Sequence, residues 1–258
     1  QYDMASAGAE LQRAIALDPA SGRAHDYLQY FYAWSERPAE ALAEARRATE
    51  LDPLSVENSA GLAGALYFAE HYDEALALIA KLYEVRPEVG RLQWMAAHIY
   101  MSKGMWPEAI AQLGGKDAEP DGVLGRVLAQ AGYRAEARRM LAKLIGRQRR
   151  ERGWAFQVAL VYEGLGDYDN AFAWLAKAID EHTLEFYIMS PAYDHLRADP
   201  RFERIRRRLN RGGAPASAGI PGAHQTRNLG AYDLYTRGRE VVLGGTRNEE
   251  RVDQAIKY

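Results

Sequence analysis

The chain has 258 residues, 48% hydrophobic and 26% charged, with a formal net charge of −2. That length buries a core of useful size, and the slightly negative charge gives no electrostatic case for direct binding to nucleic acid or to a membrane surface. The absence of cysteine removes disulfides, zinc fingers and thiol chemistry together and fits a cytoplasmic protein.

No apolar run approaches the ~20 residues of a membrane-spanning helix. No signal peptide opens the chain, which starts at Gln1 rather than Met, so the native start is expected to be absent. The opening segment carries Ala7, Leu11 and Ala14 at helical spacing and stops before Pro19. The string Ala14-Ile15-Ala16-Leu17-Asp18-Pro19 returns as Ala48-Thr49-Glu50-Leu51-Asp52-Pro53 thirty-four residues later, and Pro87 follows at the same interval. Each proline marks where a helix cannot continue. A unit from about Gly22 has Leu28 and Tyr32 on its first helix and Ala41, Ala45 and Ala48 on its second. The next begins near Val56, with Leu62 and Leu66, then Ala75, Ile79 and Leu82. A fourth segment begins near Gly90 with Ala96, Ala97 and Tyr100, turns at Gly104, and packs through Ala109 and Leu113.

The pattern then shortens. Gly114-Gly115-Lys116-Asp117 cuts the second helix by about a turn and a half, and the next unit (Leu124, Gly125, Leu128, Gly132, Ala137, Leu141) begins only twenty-eight residues on. The spacing of thirty-four returns with Ala159, Tyr162, Gly166, Ala171, Leu175 and Ala178. Glycines 104, 132 and 166 fall where a left-handed residue ends the first helix of a pair. Pro191 to Phe202 then leads into a basic helix ending near Leu209, with Arg201, Arg204, Arg206, Arg207, Arg208 and Arg211. This stretch is read as the polar cap that a solenoid requires, in preference to a phosphate or nucleic-acid site, because no aromatic platform is interleaved. The predicted organisation is a repeat array over 1–210, a flexible linker over 211–230 rich in Gly, Ala and Ser, and a partial additional helix pair over 231–258.

A period of thirty-four with this residue pattern resembles the tetratricopeptide repeat, an all-α solenoid of antiparallel helix pairs wound into a right-handed superhelix with a concave groove. The Leu-Asp-Pro units, Gly164-Leu165-Gly166-Asp167 and Leu196-Arg197-Ala198-Asp199-Pro200-Arg201-Phe202 further resemble arrays in the C-terminal half of bacterial signalling proteins. There they follow a winged-helix, adenylate cyclase or kinase domain, none of which is present in this sequence. The resemblance implies protein–protein interaction in bacterial signalling, either as a scaffold or as a sensory module controlling an attached effector. Residues 231–239 look like the segment that opens such arrays. The first helix lacks a partner and the last helix of the tail is cut short: either a second array begins at 231, or the tail completes the packing of residues 5–17, by exchange between two copies or, with the linker taut, within one chain. A linker of ~19 residues spans at most ~65 Å.

A catalytic reading finds no support. There is no Gly-Lys-Ser/Thr phosphate loop, no Gly-x-Gly-x-x-Gly after a strand and no nucleophile elbow. The six histidines, His25, His71, His98, His182, His195 and His224, never fall at metal-ligand spacing on one helix face. Neither cofactor nor metal is expected, and an enzyme with a site in the groove is the weaker alternative.

The candidate site is the concave wall, formed by the first helix of each pair. Counting from the repeat starts, that wall offers Arg23, Asp26, Tyr30 and Trp34, then Tyr67 and Phe68, then Arg91, Trp94, His98 and Met101, and finally Arg126, Gln130, Phe156 and Glu163. Aromatic, Met and Arg side chains are what peptide hot spots are made of; the competing role for Trp34, Phe68, Trp94 and Phe156 is packing between repeats. Asp26 and Tyr30 stand where a receptor for a chaperone's C-terminal carboxylate needs Lys, Asn or Arg, which argues against that ligand. An extended or helical peptide held by side-chain anchors fits better.

Overall fold

The computed structural model describes residues 4–86, 90–116, 118–181, 183–184 and 186–211. The expectations for residues 212–258, including the linker, the partial repeat and any exchange of ends, lie outside the described residues. Thirteen α-helices run through the described residues, and no strand occurs among them. They form two compact units. One is built on Gln1–Val89 and includes Met189–Pro191; the other is built on Gly90–Ile188 and includes Ala192–Leu209.

The first unit holds α1 (Met4–Leu17), the pair α2 (Gly22–Trp34) and α3 (Pro38–Leu51), and the pair α4 (Val56–Phe68) and α5 (Tyr72–Val85). The second holds α6 (Gly90–Ser102) with α7 (Trp106–Gln112), α8 (Gly122–Gln130) with α9 (Arg134–Arg150), and α10 (Ala155–Gly164) with α11 (Tyr168–Asp180). It closes with two 3₁₀ turns (Phe186–Met189 and Pro191–Tyr193), the single-turn helix α12 (Asp194–Arg197) and α13 (Phe202–Arg211). In each pair the first helix is called helix A and the second helix B. Short connections fold helix B back against helix A, so the pairs are antiparallel.

One turn ends all five A helices. The NH of Glu36, Glu70, Gly104, Gly132 and Gly166 bonds the carbonyl three residues earlier, and the NH of the following residue bonds the carbonyl five residues earlier. This paired bonding satisfies carbonyls that the end of helix A would leave bare. It needs a left-handed residue at the first of the two positions. The three glycines adopt φ of 69, 89 and 79°, and Glu36 and Glu70 adopt 58 and 62°. A glutamate there strains against its own Cβ, and a glycine does not. Glu70→Gly is therefore expected to stabilise the first unit by about 1 kcal/mol. Thermal unfolding checks this, and a Tm unchanged or lowered would contradict it.

The same bonding at Gly114 and Gly115 (φ 86 and 85°) ends α7 after 7 residues, whereas α3 and α5 each run for 14. Three A helices, α2, α4 and α8, begin on a side-chain cap. Ser21, Ser55 and Asp121 accept hydrogen bonds from the NH groups of Ala24, Asn58 and Leu124, filling orphan donors of the first turn.

Small residues set the depth of packing. Ala14, Ala41, Ala45, Ala48, Ala75, Ala109, Ala137, Ala171 and Ala178 are all 1% exposed or less, and they let helices A and B approach closely. Larger side chains fill the space between repeats, with Leu28, Leu66, Leu92, Leu124, Leu128, Leu144 and Leu160 also buried. Each contributes about 1.5–3 kcal/mol of apolar burial. Neighbouring helices A come closest at α8 and α10. A Cβ added at Gly122 would lie 2.4 Å from the Gln157 carbonyl, and one at Gly164 would lie 2.7 Å from the Arg126 Cα. That approach brings the α8 and α10 side chains facing the same way into direct contact.

The stretch read from the sequence as a terminal cap divides in two. Its helical part, α13, packs on α11: Phe202 and Ile205 are buried, Arg201 Nη1 lies 2.6 Å from Asp169 Oδ1, and Arg208 pairs with Asp180. The arginines that looked like a free basic patch are in these cases ion-paired with α11 carboxylates. The part before α13 lies against helix A side chains, with consequences for the candidate site.

Candidate functional site

In the first unit, the helix A face of α2 carries Arg23 exposed and Asp26, Tyr30 and Trp34 half-buried. The neighbouring helix A, α4, approaches it closely at Gly61, where a Cβ would meet Asp26 Oδ1 at 2.3 Å. Next to these, Tyr67 and Phe68 are buried. The Tyr67 hydroxyl donates to Ser190 Oγ at 3.0 Å, so the segment Met189–Pro191 covers that part of the wall. His25, one residue before Asp26, faces the other way. Its Nδ1 lies 2.5 Å from Glu44 Oε2 and its Nε2 lies 3.3 Å from the Pro19 carbonyl, so it ties α2 to its surroundings and takes no part in the wall.

In the second unit the wall is polar and covered. Trp94 is half-buried and its ring lies against His98, with centroids 3.9 Å apart and the planes tilted by 46°. His98 is fully buried. Its Nδ1–H donates to the Trp94 carbonyl at 2.9 Å, and its Nε2 lies 3.2 Å from the Tyr193 hydroxyl. Burial pushes the imidazole down to about 3, reinforced by the Arg126 charge and partly offset by the bond to the Trp94 carbonyl. His98 is therefore neutral, Nε2 is an acceptor, and the Tyr193 hydroxyl is its donor.

Arg126 on α8 and Glu163 on α10 form an ion pair through Arg126 Nε, with Arg126 4% and Glu163 1% exposed. Arg126 Nη2 also donates to the Ala192 carbonyl at 2.9 Å, and its guanidinium lies 4.8 Å from the centre of the Tyr193 ring. Glu163 Oε1 accepts from His195 Nε2 at 2.5 Å. Burial alone would raise the Glu163 carboxyl, but the Arg126 charge and the His195 hydrogen bond outweigh it and hold it below the usual carboxylate range.

Of the remaining residues expected on the wall, Met101 and Phe156 are buried in the second unit and Gln130 is exposed. The side chain of Arg91 lies outside what the structure describes. The wall positions thus separate into two groups. Arg23, Asp26, Tyr30, Trp34, Trp94 and Gln130 keep surface. Tyr67, Phe68, His98, Met101, Arg126 and Phe156 are buried. For Tyr67, His98 and Arg126 the cover includes the chain's own residues 190–193. Phe156 packs beneath the repeat interface, the competing role weighed from the sequence.

Sequence reasoning missed Ser190, Tyr193 and His195 as wall residues. Their stretch contains no full helical turn of its own before α12, and no periodicity marks short 3₁₀ turns. Among the described residues, no group of three or more His, Cys, Asp or Glu could hold a metal ion, and no helix is long and apolar enough to cross a membrane.

The chain was compared with known proteins. A family model for the tetratricopeptide repeat matches residues 155–181, the span of α10 and α11. No curated protein matches the chain. Among solved structures, it is similar to YrrB, a TPR protein with an unusual peptide-binding site, at 20% identity, TM-score 0.39, covering 72% of this chain and 97% of that one. It is also similar to Pseudomonas aeruginosa pilF at 18% identity, TM-score 0.43, covering 73% of this chain and 86% of that one. The matched repeat at 155–181 shares its antiparallel helices, its left-handed turn and its spacing with the pairs at 22–51, 56–85, 90–112 and 122–150. Residues 155–181 form a tetratricopeptide repeat, and the other helix pairs follow the same antiparallel architecture.

Proposed function

We propose that the chain is a protein-interaction scaffold that receives a peptide segment of a partner on its helix A faces, as part of a bacterial signalling or regulatory polypeptide in the cytoplasm. One observation carries the reading: the helix A wall of the second unit already engages an irregular peptide segment, Ala192–His195, through side-chain hydrogen bonds and ring contacts. A wall that grips its own chain in this way has the chemistry to grip another. The accessible positions Arg23, Asp26, Tyr30 and Trp34 add half-buried aromatic surface flanked by both charges, as peptide anchors require. The signalling context rests on the resemblance of Leu196 to Phe202 and the Leu-Asp-Pro units to arrays in such proteins. The chain supplies recognition, and no catalytic group is assigned to it.

The test is capture from the source lysate on immobilised wild type and on a Tyr30→Ala, Trp94→Ala double variant of equal helicity. Proteins retained by wild type are expected to fall about tenfold or more on the variant, since each truncated hot-spot aromatic costs ~2 kcal/mol or more. Equal retention on both would remove the helix A faces as the binding surface.

A further inference from the structure

We infer that Ala192–Arg197 is an internal ligand of the second unit, held on the α6, α8 and α10 side chains in place of a partner segment of the same chemistry: a tyrosine with a histidine or basic residue two positions after it. The inference rests on the reading that helix A faces receive peptides.

Three features support it. First, the segment is held by side-chain contacts at each anchoring point. Tyr193 gives its hydroxyl proton to His98, sets its ring against the Arg126 guanidinium and is fully buried; Ala192 offers its carbonyl to Arg126; His195 bonds Glu163. Second, the covered wall is polar. A cover that never lifts would be served as well by apolar residues, because burying an ion pair and a histidine costs desolvation that hydrophobic packing avoids. A polar wall suits a cover that leaves, since water and ligand groups can replace every bond the segment makes. Third, the segment has little structure of its own. It consists of a 3₁₀ turn and a four-residue helix, too short to be stable alone, so its docking depends on these contacts and on the burial of Tyr193 and Leu196. The His195 side chain is 41% exposed, so the edge of the docked segment already meets solvent.

The ligand class follows from the contacts. A phenol satisfies neutral His98 and the guanidinium face together. A basic or histidine side chain two residues later reaches Glu163. A small residue before the tyrosine leaves its carbonyl open to Arg126.

Because the internal segment competes at high effective concentration, the apparent Kd for an added peptide is the intrinsic value divided by the undocked fraction. The probe is a fluorescent peptide of residues 188–197, titrated against the full chain. A Tyr193→Phe, His195→Ala double variant removes both polar hooks and keeps the ring. It is expected to bind the peptide at least about tenfold more tightly than wild type, and a peptide with its own tyrosine replaced by alanine is expected not to bind. Wild type is tested in parallel by hydrogen exchange: excess peptide is expected to speed exchange of the amides of 192–197, a readout that stands even if the variant loses helicity. A folded variant that binds no better than wild type, or wild-type exchange at 192–197 that excess peptide leaves unchanged, would overturn the internal-ligand assignment. Partner capture through Tyr30 on the first unit or Trp94 on the second would stand in that case, whereas loss of capture with intact peptide binding would remove the partner reading alone.

Discussion

Glu163→Ala is expected to destabilise the second unit by about 3–5 kcal/mol, the cost of leaving a buried charge without its partner. Glu163 and Arg126 are 1% and 4% exposed, so water does not replace the lost carboxylate. The guanidinium that remains would keep its bond to the Ala192 carbonyl and its place by the Tyr193 ring, neither of which carries negative charge. His195 would lose its acceptor as well. Glu163→Gln is expected to fall between wild type and alanine, because it retains an acceptor for His195 but not the charge that Arg126 needs. Replacing the pair together, Arg126→Met with Glu163→Leu, is expected to cost less than Glu163→Ala alone, since no uncompensated charge is left inside. Urea unfolding followed by far-UV circular dichroism, with hydrogen exchange on α8 and α10, reads these differences. A loss below about 1 kcal/mol for Glu163→Ala, the worth of an exposed ion pair, would mean that water reaches the site in solution.

The glycines that let α8 and α10 approach are part of why this pair exists. In the sequence Gly125 read as a repeat position and Gly164-Leu165-Gly166 as a turn, and both readings describe local backbone. The partnership of Arg126 with Glu163 spans thirty-seven positions, and it follows from the repeat: residues near the same place on successive helices A must face the same way. That much was legible, since His98, Arg126 and Glu163 were all assigned to one wall. Periodicity reports which face a residue is on, not what covers that face. The cover comes from Ser190, Tyr193 and His195, in a stretch whose short 3₁₀ turns carry no period and whose later arginines drew it into the cap. The turn between helices was legible in three repeats through Gly104, Gly132 and Gly166. It was hidden in the other two, where Glu36 and Glu70 adopt the same left-handed conformation against their own preference, because hydrogen bonding at the helix end and packing of the pair outweigh a local strain of about 1 kcal/mol. The early end of α7 was legible because two adjacent glycines leave the helix no reason to continue. The division of the chain near residue 89 left no trace in the sequence, where Pro87 recurs on schedule.

Acidification is expected to weaken the second unit through His98. In the unfolded chain this histidine titrates near its ordinary value of 6.5, and in the folded chain burial lowers it to about 3. Between those values the unfolded state binds one more proton than the folded state, so stability falls as pH falls, approaching about 1.4 kcal/mol per pH unit below ~5.5. Glu163 acts in the same direction at lower pH. Its folded value is depressed below 4.5, so its contribution is present above 4.5 and is lost as pH falls through the folded value. A His98→Gln variant removes the first effect and leaves the other histidines in place, so the difference between wild type and variant isolates His98. From pH 7 to pH 5, wild type is expected to lose about 2 kcal/mol more than the variant. Urea unfolding across that range measures it, and a constant difference between the two proteins would mean that His98 already takes a proton in the folded state. The groups around it argue otherwise. The Arg126 guanidinium opposes a second positive charge, and Glu163, the nearest carboxylate on the wall, is already bonded to Arg126 and His195. Tyr193 donates to Nε2, so protonating His98 would reverse that bond and set a second positive charge beside Arg126.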